Sequence, residues 1–417
     1  MISRILKVIQ VHISTRSEVL KPEGVTDPRR RKGRYSLASV WRTMVMGLCA
    51  MLQSARKCEE VFRMQQGRVF SRIGRTALAD LVSRLRPEEV RAILRRGIHA
   101  EHRRKALRPN GLPVGVVAID GKTTWTGPEK VNPYCQRSHR DDKNQTPFWM
   151  FRVVRAVLIS AAAKVCIDQA PIPAETNDMG VFEDFFRSLI REYGRSNLFE
   201  IVTADAGFCS LANATLVNDA GYAYVFGLKG NQSELHHEAQ RVLLPLAQET
   251  PPQAETEWEP EKGRKVKRLF WRTLELAGWL DWTHLRQVWL VRKVRLEADG
   301  SQTFIEDRFF ITNLPANRLA VRDCLEVVRR HWGIENHCFW TLDTQWKEDA
   351  GLWVRKGNGL LICSLLRMIA YNLVVTLREV HAKAEQWRQK TWQCLAGLLL
   401  TYIYVASMAT KRGFKGI

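Results

Sequence analysis

No CxxC pair occurs in this 417-residue chain, and its nine cysteines are odd in number and scattered. That pattern excludes a disulfide framework and a small zinc finger, and it suits a reducing compartment. Cys135 and His139 come nearest to a metal pair, and no further ligands stand beside them. Long apolar runs are also missing. The most apolar stretch, residues 395–409, is bounded by Lys411 and Arg412 and is short for a membrane span, so a buried helix is expected there. The basic first 20 residues hold no continuous apolar segment, so no signal peptide is expected. Internal repeats and low-complexity tracts are absent as well. The expectation is a cytoplasmic protein with no membrane partner.

Acidic side chains are in short supply. Lys and Arg number 64 against 43 Asp and Glu, a net charge of +21. A surplus of that size points to a polyanionic partner, because each neutralised phosphate releases condensed counterions. Residues 1–110 hold 25 basic and 9 acidic side chains, about three quarters of the net charge. Diffuse solubilisation would not concentrate charge in this way, whereas a nucleic-acid-binding region would.

The pattern divides the chain. Residues 1–34, with Pro22, Gly24, Pro28 and the run Arg29-Arg30-Arg31-Lys32, are expected to form a basic flexible tail. Residues 35–110 carry helical periodicity. Pro87 opens a helix bearing Arg91, Arg95 and Arg96, which gives a small basic helical domain suited to DNA or to capping its neighbour. From residue 113 the period changes. Apolar runs at residues 114–120, 148–159, 164–168, 198–204 and 222–228 predict five strands, with helices at residues 178–194 and 211–221. Asp178 suits the N-cap of the first of these helices. Residues 232–315 break the rhythm and predict a β-rich insertion rich in Trp. Helical pattern returns over residues 316–380 and continues through residues 381–417. The fold class is α/β: residues 111–231 and 316–380 form one domain with a mixed five-stranded sheet, interrupted by the insertion.

Asp120 and Asp205 each end a short apolar strand, and sites in open α/β sheets form beyond strand carboxyl ends. Paired carboxylates repel one another, and a hard cation such as Mg²⁺ or Mn²⁺ removes that repulsion. Taken singly, Asp120-Gly121 also suits a hairpin turn and Asp205 a helix cap. Glu335 lies in His331-Trp332-Gly333-Ile334-Glu335-Asn336, flanked by Arg329 and Arg330.

These segments carry a resemblance. Val116-Val117-Ala118-Ile119-Asp120-Gly121-Lys122-Thr123, Val202-Thr203-Ala204-Asp205-Ala206, Gly227-Leu228-Lys229-Gly230-Asn231-Gln232 and the segment around Glu335, with Trp340, Asp343, Glu348 and Asp349, occur in order. They resemble bacterial insertion-sequence DDE transposases of the H-repeat-associated type, over residues 35–380. The resemblance implies an RNase H-like core, with Asp120, Asp205 and Glu335 as catalytic and metal-binding residues for two Mg²⁺ or Mn²⁺ ions. It implies cleavage of double-stranded DNA at terminal repeats and transfer of the freed 3′-hydroxyl into target DNA, by a homodimer that pairs two ends. Lys122, Lys229, Asn231, Arg329, Arg330, His331, Arg355 and Arg367 are candidate DNA contacts. Related families place an arginine, a tyrosine and a lysine around the glutamate; His331, Val328 and Leu342 stand in those places here. A nuclease on the same fold that cuts without rejoining, and an inactive DNA-binding descendant, are the alternatives.

Overall fold

The computed structural model describes residues 2–29, 34–64, 70–139, 145–261, 263–297, 299–350, 353–380 and 384–409. Arg30, Arg31 and Lys32 of the basic run, and Asp141, Asp142 and Asn144, lie outside these.

The N-terminal quarter is helical: α1 (Ile2–Ser14), α2 (Ser17–Leu20), α3 (Leu37–Cys49), α4 (Ala55–Arg63), α5 (Arg75–Arg84) and α6 (Pro87–Arg103). The expected flexible tail is therefore corrected over residues 2–20. Ile5, Ile9 and Ile13 repeat at helical spacing, Ile9 and Ile13 are buried, and His12 Nε2 lies 2.9 Å from the Leu373 carbonyl. An apolar stripe with a partner to pack on orders a segment that composition alone makes look loose.

The basic α6 receives a second correction. Arg91, Arg95 and Arg96 are committed within the protein, and Arg103 at the end of the helix is exposed. Arg91 and Arg95 both bind the buried Asp168 carboxylate at 2.6 and 2.5 Å. Arg96 donates to the carbonyls of Glu18 and Glu23. These cations dock α6 onto the sheet and leave few for phosphates. Nor do the N-terminal helices keep a core of their own. α3, α5 and α6 pack on α12 (Gly359–Val380), and α1 packs on α12 and α14 (Trp392–Ala409). Of the described helices, α12 alone is long and apolar enough to cross a membrane, and 94% of its most apolar window is buried inside the protein.

The sheet starts with β1 (Val116–Gly127), β2 (Gln136–His139), β3 (Pro147–Leu158) and β4 (Cys166–Pro171). It continues through α7 (Asp178–Tyr193), β5 (Ile201–Ala204), α8 (Leu211–Asp219) and β6 (Ala223–Leu228). β1, β3 and β4 are antiparallel neighbours, and β5 and β6 run parallel to β1. All five expected strands are present. Asn177, one residue before Asp178, caps α7 by accepting from Gly180 N.

The expected β insertion opens instead with a helix, α9 (Ser233–Glu249), which turns Leu235, Ala239 and Leu243 inward. β7 (Ala254–Glu255), β8 (Glu259–Glu261), β9 (Arg264–Thr273), β10 (Gln287–Leu296) and β11 (Gln302–Thr312) follow. They do not form a separate layer. β11 pairs antiparallel with β6, Phe309 opposite Leu228, so the insertion extends the core sheet to eleven strands. α10 (Val321–His331), a π-helical turn (Ile334–Phe339), α11 (Trp340–Gln345), α12, α13 (Ala384–Arg388) and α14 complete the chain.

Candidate active site

Strand register brings the two aspartates together. Ile119 pairs with Ala204 across the parallel β1–β5 ladder. Asp120 and Asp205 are the next residues on each strand, so their backbones leave the ladder roughly 5 Å apart, one strand spacing. Asp120 is not in a hairpin turn. β1 runs on past it to Gly127, with Asp120 opposite Arg155 of β3. Asp205 has the capping geometry its sequence allowed: Oδ1 accepts from Gly207 N at 3.0 Å. Glu335 is exposed on the π-helical turn, which packs against β1. One extra residue in a helical turn re-aims its side chains, and such turns recur at functional sites.

Electrostatics reports the convergence. Burial first, then the charges of Asp205 and Glu335, push the Asp120 carboxyl up to about 8. Asp205 is raised by burial and by Asp178, against the Gly207 N–H and the Lys229 ammonium.

Asp178 was passed over as a site residue. From the first turn of α7, its Oδ2 is 2.6 Å from Arg152, and its Oδ1 is shielded from water with no hydrogen-bond partner. It lies against Gly121, where a Cβ would come 2.1 Å from Oδ1. Replacing Gly121 by Ala is expected to cost about 1–3 kcal/mol by overpacking. Most of that loss should be absent when Asp178 is also Ala. Denaturant melts of the two single variants and the double variant measure it, and additive losses would show that the two residues do not collide.

Carboxylate oxygens, unneutralised and crowded, are the donor set a hard divalent cation prefers. Asp120, Asp205 and Glu335 fit such an ion by chemistry and charge. Among the described residues, no three acidic, histidine or cysteine side chains already stand close enough to enclose one.

The surrounding cations divide by location. Lys229 is exposed beside Asp205, and Arg355 is exposed. The other expected DNA contacts are tied into the protein. Lys122 forms an ion pair with Asp343 and lies over the Phe339 ring. Asn231 Nδ2 donates to the carbonyls of Ala206 and Cys209, pinning the turn that follows Asp205. Arg329 binds Glu326 and Glu259, and Arg330 binds Glu326. His331 is buried 2.8 Å from Thr203 Oγ1, and burial pushes it down to about 4, so it is neutral and faces no phosphate. Arg367 is only 1% exposed within α12. Val328 and Leu342 are buried packing residues.

Phe339, the last residue of the π-helical turn, also carries the Arg155 guanidinium 5.5 Å from its ring centre. Arg155 and Glu348 form a fully buried pair at 2.5 Å, joined by Gln169 and Ser364. Lys122 and Arg155 thus hold the Glu335 turn onto β1 and β3. Motif order gave no hint of this clamp, because its members lie on elements far apart in the chain.

Residues 114–373 match the family described as "Transposase DDE domain". Curated relatives include "Putative transposase YncI" of Escherichia coli O157:H7, 25% identical over 46% of this chain and 49% of its own. A second, "H repeat-associated putative transposase YhhI" of Escherichia coli K12, is 27% identical over 48% of this chain and 55% of its own. An "Uncharacterized protein in dhlA 3'region" of Xanthobacter autotrophicus is 28% identical over 48% and 61%. The chain therefore spans about half the length of the curated relatives it matches. The family match runs from just before β1 into α12 and takes in more than half of the residues, so the protein belongs to the transposase DDE-domain family.

Proposed function

We propose that the protein is a DNA transposase that cuts phosphodiester bonds at the ends of a mobile element and joins the freed 3′-hydroxyl to target DNA. The observation that carries this reading is the unneutralised charge around Asp120, whose carboxyl feels Asp205 and Glu335 together. The antiparallel β1, β3 and β4 beside the parallel β5 and β6 support an RNase H-like core.

In this reading Asp120, Asp205 and Glu335 hold the divalent cations. Bound in pairs, such ions activate the attacking oxygen and stabilise the leaving one. The chain contributes rigidity and aim. The β1–β3 ladder fixes Asp120, and the β5 ladder up to Ala204 with the Gly207 N–H fixes Asp205 beside it. The clamp on Phe339 fixes the turn that presents Glu335. Lys229, exposed beside Asp205, offers a cation to a scissile-strand phosphate. His331 stays neutral and anchors α10 to β5 through Thr203.

The test uses purified full-length protein, Mg²⁺ and labelled duplexes carrying the element end and flanking DNA, with precut ends supplied separately. Strand-transfer products that vanish in Glu335→Gln are expected. A wild-type protein that only hydrolyses precut ends would make it a nuclease, and cleavage that survives in Glu335→Gln would remove Glu335 from the site.

A further inference from the structure

A cleft of about 820 Å³ opens beside Glu335, between the extended sheet and α10. One wall leads to the site. Trp332, three residues before Glu335, has the Arg308 guanidinium 4.6 Å and the Arg268 guanidinium 5.7 Å from its ring centre. Cations at such a site suit a DNA backbone, yet the cleft is lined by almost as many carboxylates as cations. Glu306 pairs with Arg308 and Glu379 with Arg388. Two further groups of glutamates neutralise the remaining cations, and they differ in kind. Glu326 sits on α10 and pairs with Arg329 and Arg330 one turn away, an arrangement any helix makes for itself. Glu259 and Glu261 come from elsewhere. Glu259 binds Arg268 at 3.0 Å and Arg329 at 2.8 Å, and Glu261 binds Arg268 at 3.0 Å and Lys293 at 2.5 Å.

Both lie on β8, which has three residues and, among the described residues, pairs only with β9. Its central residue, Pro260, has no N–H to give a second neighbour, and Gly263 turns the chain at φ +77° directly after it. Few ladder bonds would break if this edge lifted. Its two carboxylates alternate along the strand with Pro260 between them, so they present negative charge to three cations on the cleft wall.

We infer that this cleft seats the sugar–phosphate backbone of one DNA strand running toward Glu335, and that Glu259 and Glu261 occupy the phosphate seats until DNA displaces them. The inference rests on the DNA-cutting reading above and adds to it a surface and a competitor within the chain. The exchange is physically reasonable. Partly exposed ion pairs are each weak and screened by salt, whereas a polyanion gains the entropy of its released counterions. It has a sign. Neutralising the strap strengthens binding most at low salt, where the competing ion pairs are strongest, and so steepens the salt dependence.

The experiment measures anisotropy of a fluorescein-labelled duplex of mixed sequence with full-length protein over a range of salt. Glu259→Gln/Glu261→Gln is expected to bind roughly tenfold tighter than wild type at low salt, with the gap closing as salt rises. Adding Arg268→Ala should remove most of the gain. The control Glu60→Gln/Glu183→Gln makes the same charge change on exposed helical ion pairs outside the cleft and should gain far less. If the double variant melts early, Glu261→Gln alone is scored against the same control. Unchanged affinity in a folded strap variant, a gain that survives Arg268→Ala, or an equal gain in the control overturns the inference while leaving the DNA reading intact. If neither wild type nor strap variant binds duplex at any salt, the DNA reading itself falls.

Discussion

Asp120→Asn is expected to abolish DNA cleavage, by on the order of 10³-fold or more, while making the cation-free protein more stable at pH 8. The two effects share one cause. The Asp120 carboxyl is pushed up to about 8 by burial and by Asp205 and Glu335, against an ordinary value of 3.8. Between those two values the folded protein keeps a proton that the unfolded chain has released. Stability therefore falls as pH rises through that window, and the full penalty is present above it. Asparagine cannot ionise and escapes the penalty. The variant should gain on the order of 5 kcal/mol over wild type at pH 8, and the gap should close by pH 4. Mg²⁺ should reverse the order, because a ligand that binds only the folded wild type stabilises it by mass action. Melting curves from pH 4 to 8.5, with and without Mg²⁺, read the stability; cleavage of a labelled duplex reads the activity. A variant that cuts DNA, or whose melting follows the wild-type pH dependence, would remove Asp120 from the charged centre. Asp205 is raised in the same direction, but the Gly207 N–H and Lys229 oppose the shift, so Asp205→Asn should lose activity with a smaller gain in stability.

Glu348→Ala has the largest expected structural cost, about 3–5 kcal/mol. Arg155 and Glu348 are both fully buried, and Gln169 and Ser364 complete the network. Removing the carboxylate leaves a guanidinium in an apolar interior that no water reaches to solvate it. Removing both charges is a different matter, since well-packed apolar groups often replace a buried ion pair at little cost. Arg155→Met/Glu348→Leu is accordingly expected to recover part of the loss, the remainder reflecting the buried Arg367, whose charge Glu348 also faces. Urea titrations of the single and double variants measure it, and a single variant within about 1 kcal/mol of wild type would show that water reaches the pair. The folded double variant carries a second readout. Arg155 lies over Phe339 at the end of the π-helical turn. Slower cleavage in a well-folded protein is the sign that the clamp positions Glu335 as well as stabilising the chain.

Strand content was open to inspection because buried strands are written as short apolar runs. The five runs in residues 114–228 became β1, β3, β4, β5 and β6. The three acidic candidates were legible through the order of the motifs around them. Charge was the poorest guide. The arginines of α6 suggested a DNA-binding face, yet Arg91 and Arg95 converge on Asp168 of β4. Arg367 and His331 are buried, and Asn231 is committed to backbone carbonyls. A side chain's charge is local information, whereas its partner comes from an element far along the chain. The same limit hid Asp178, which suited a helix cap, and the glutamates of β8.

The α/β class and the family could be read from one dimension, since apolar period and motif order are properties of a linear chain. Tertiary structure alone decided that Ile119 faces Ala204 and so sets Asp120 beside Asp205, that the N-terminal helices share the α12 core, and which cations remain for a ligand. Register, burial and charge pairing are set between segments distant in sequence, and no local pattern of residues specifies them.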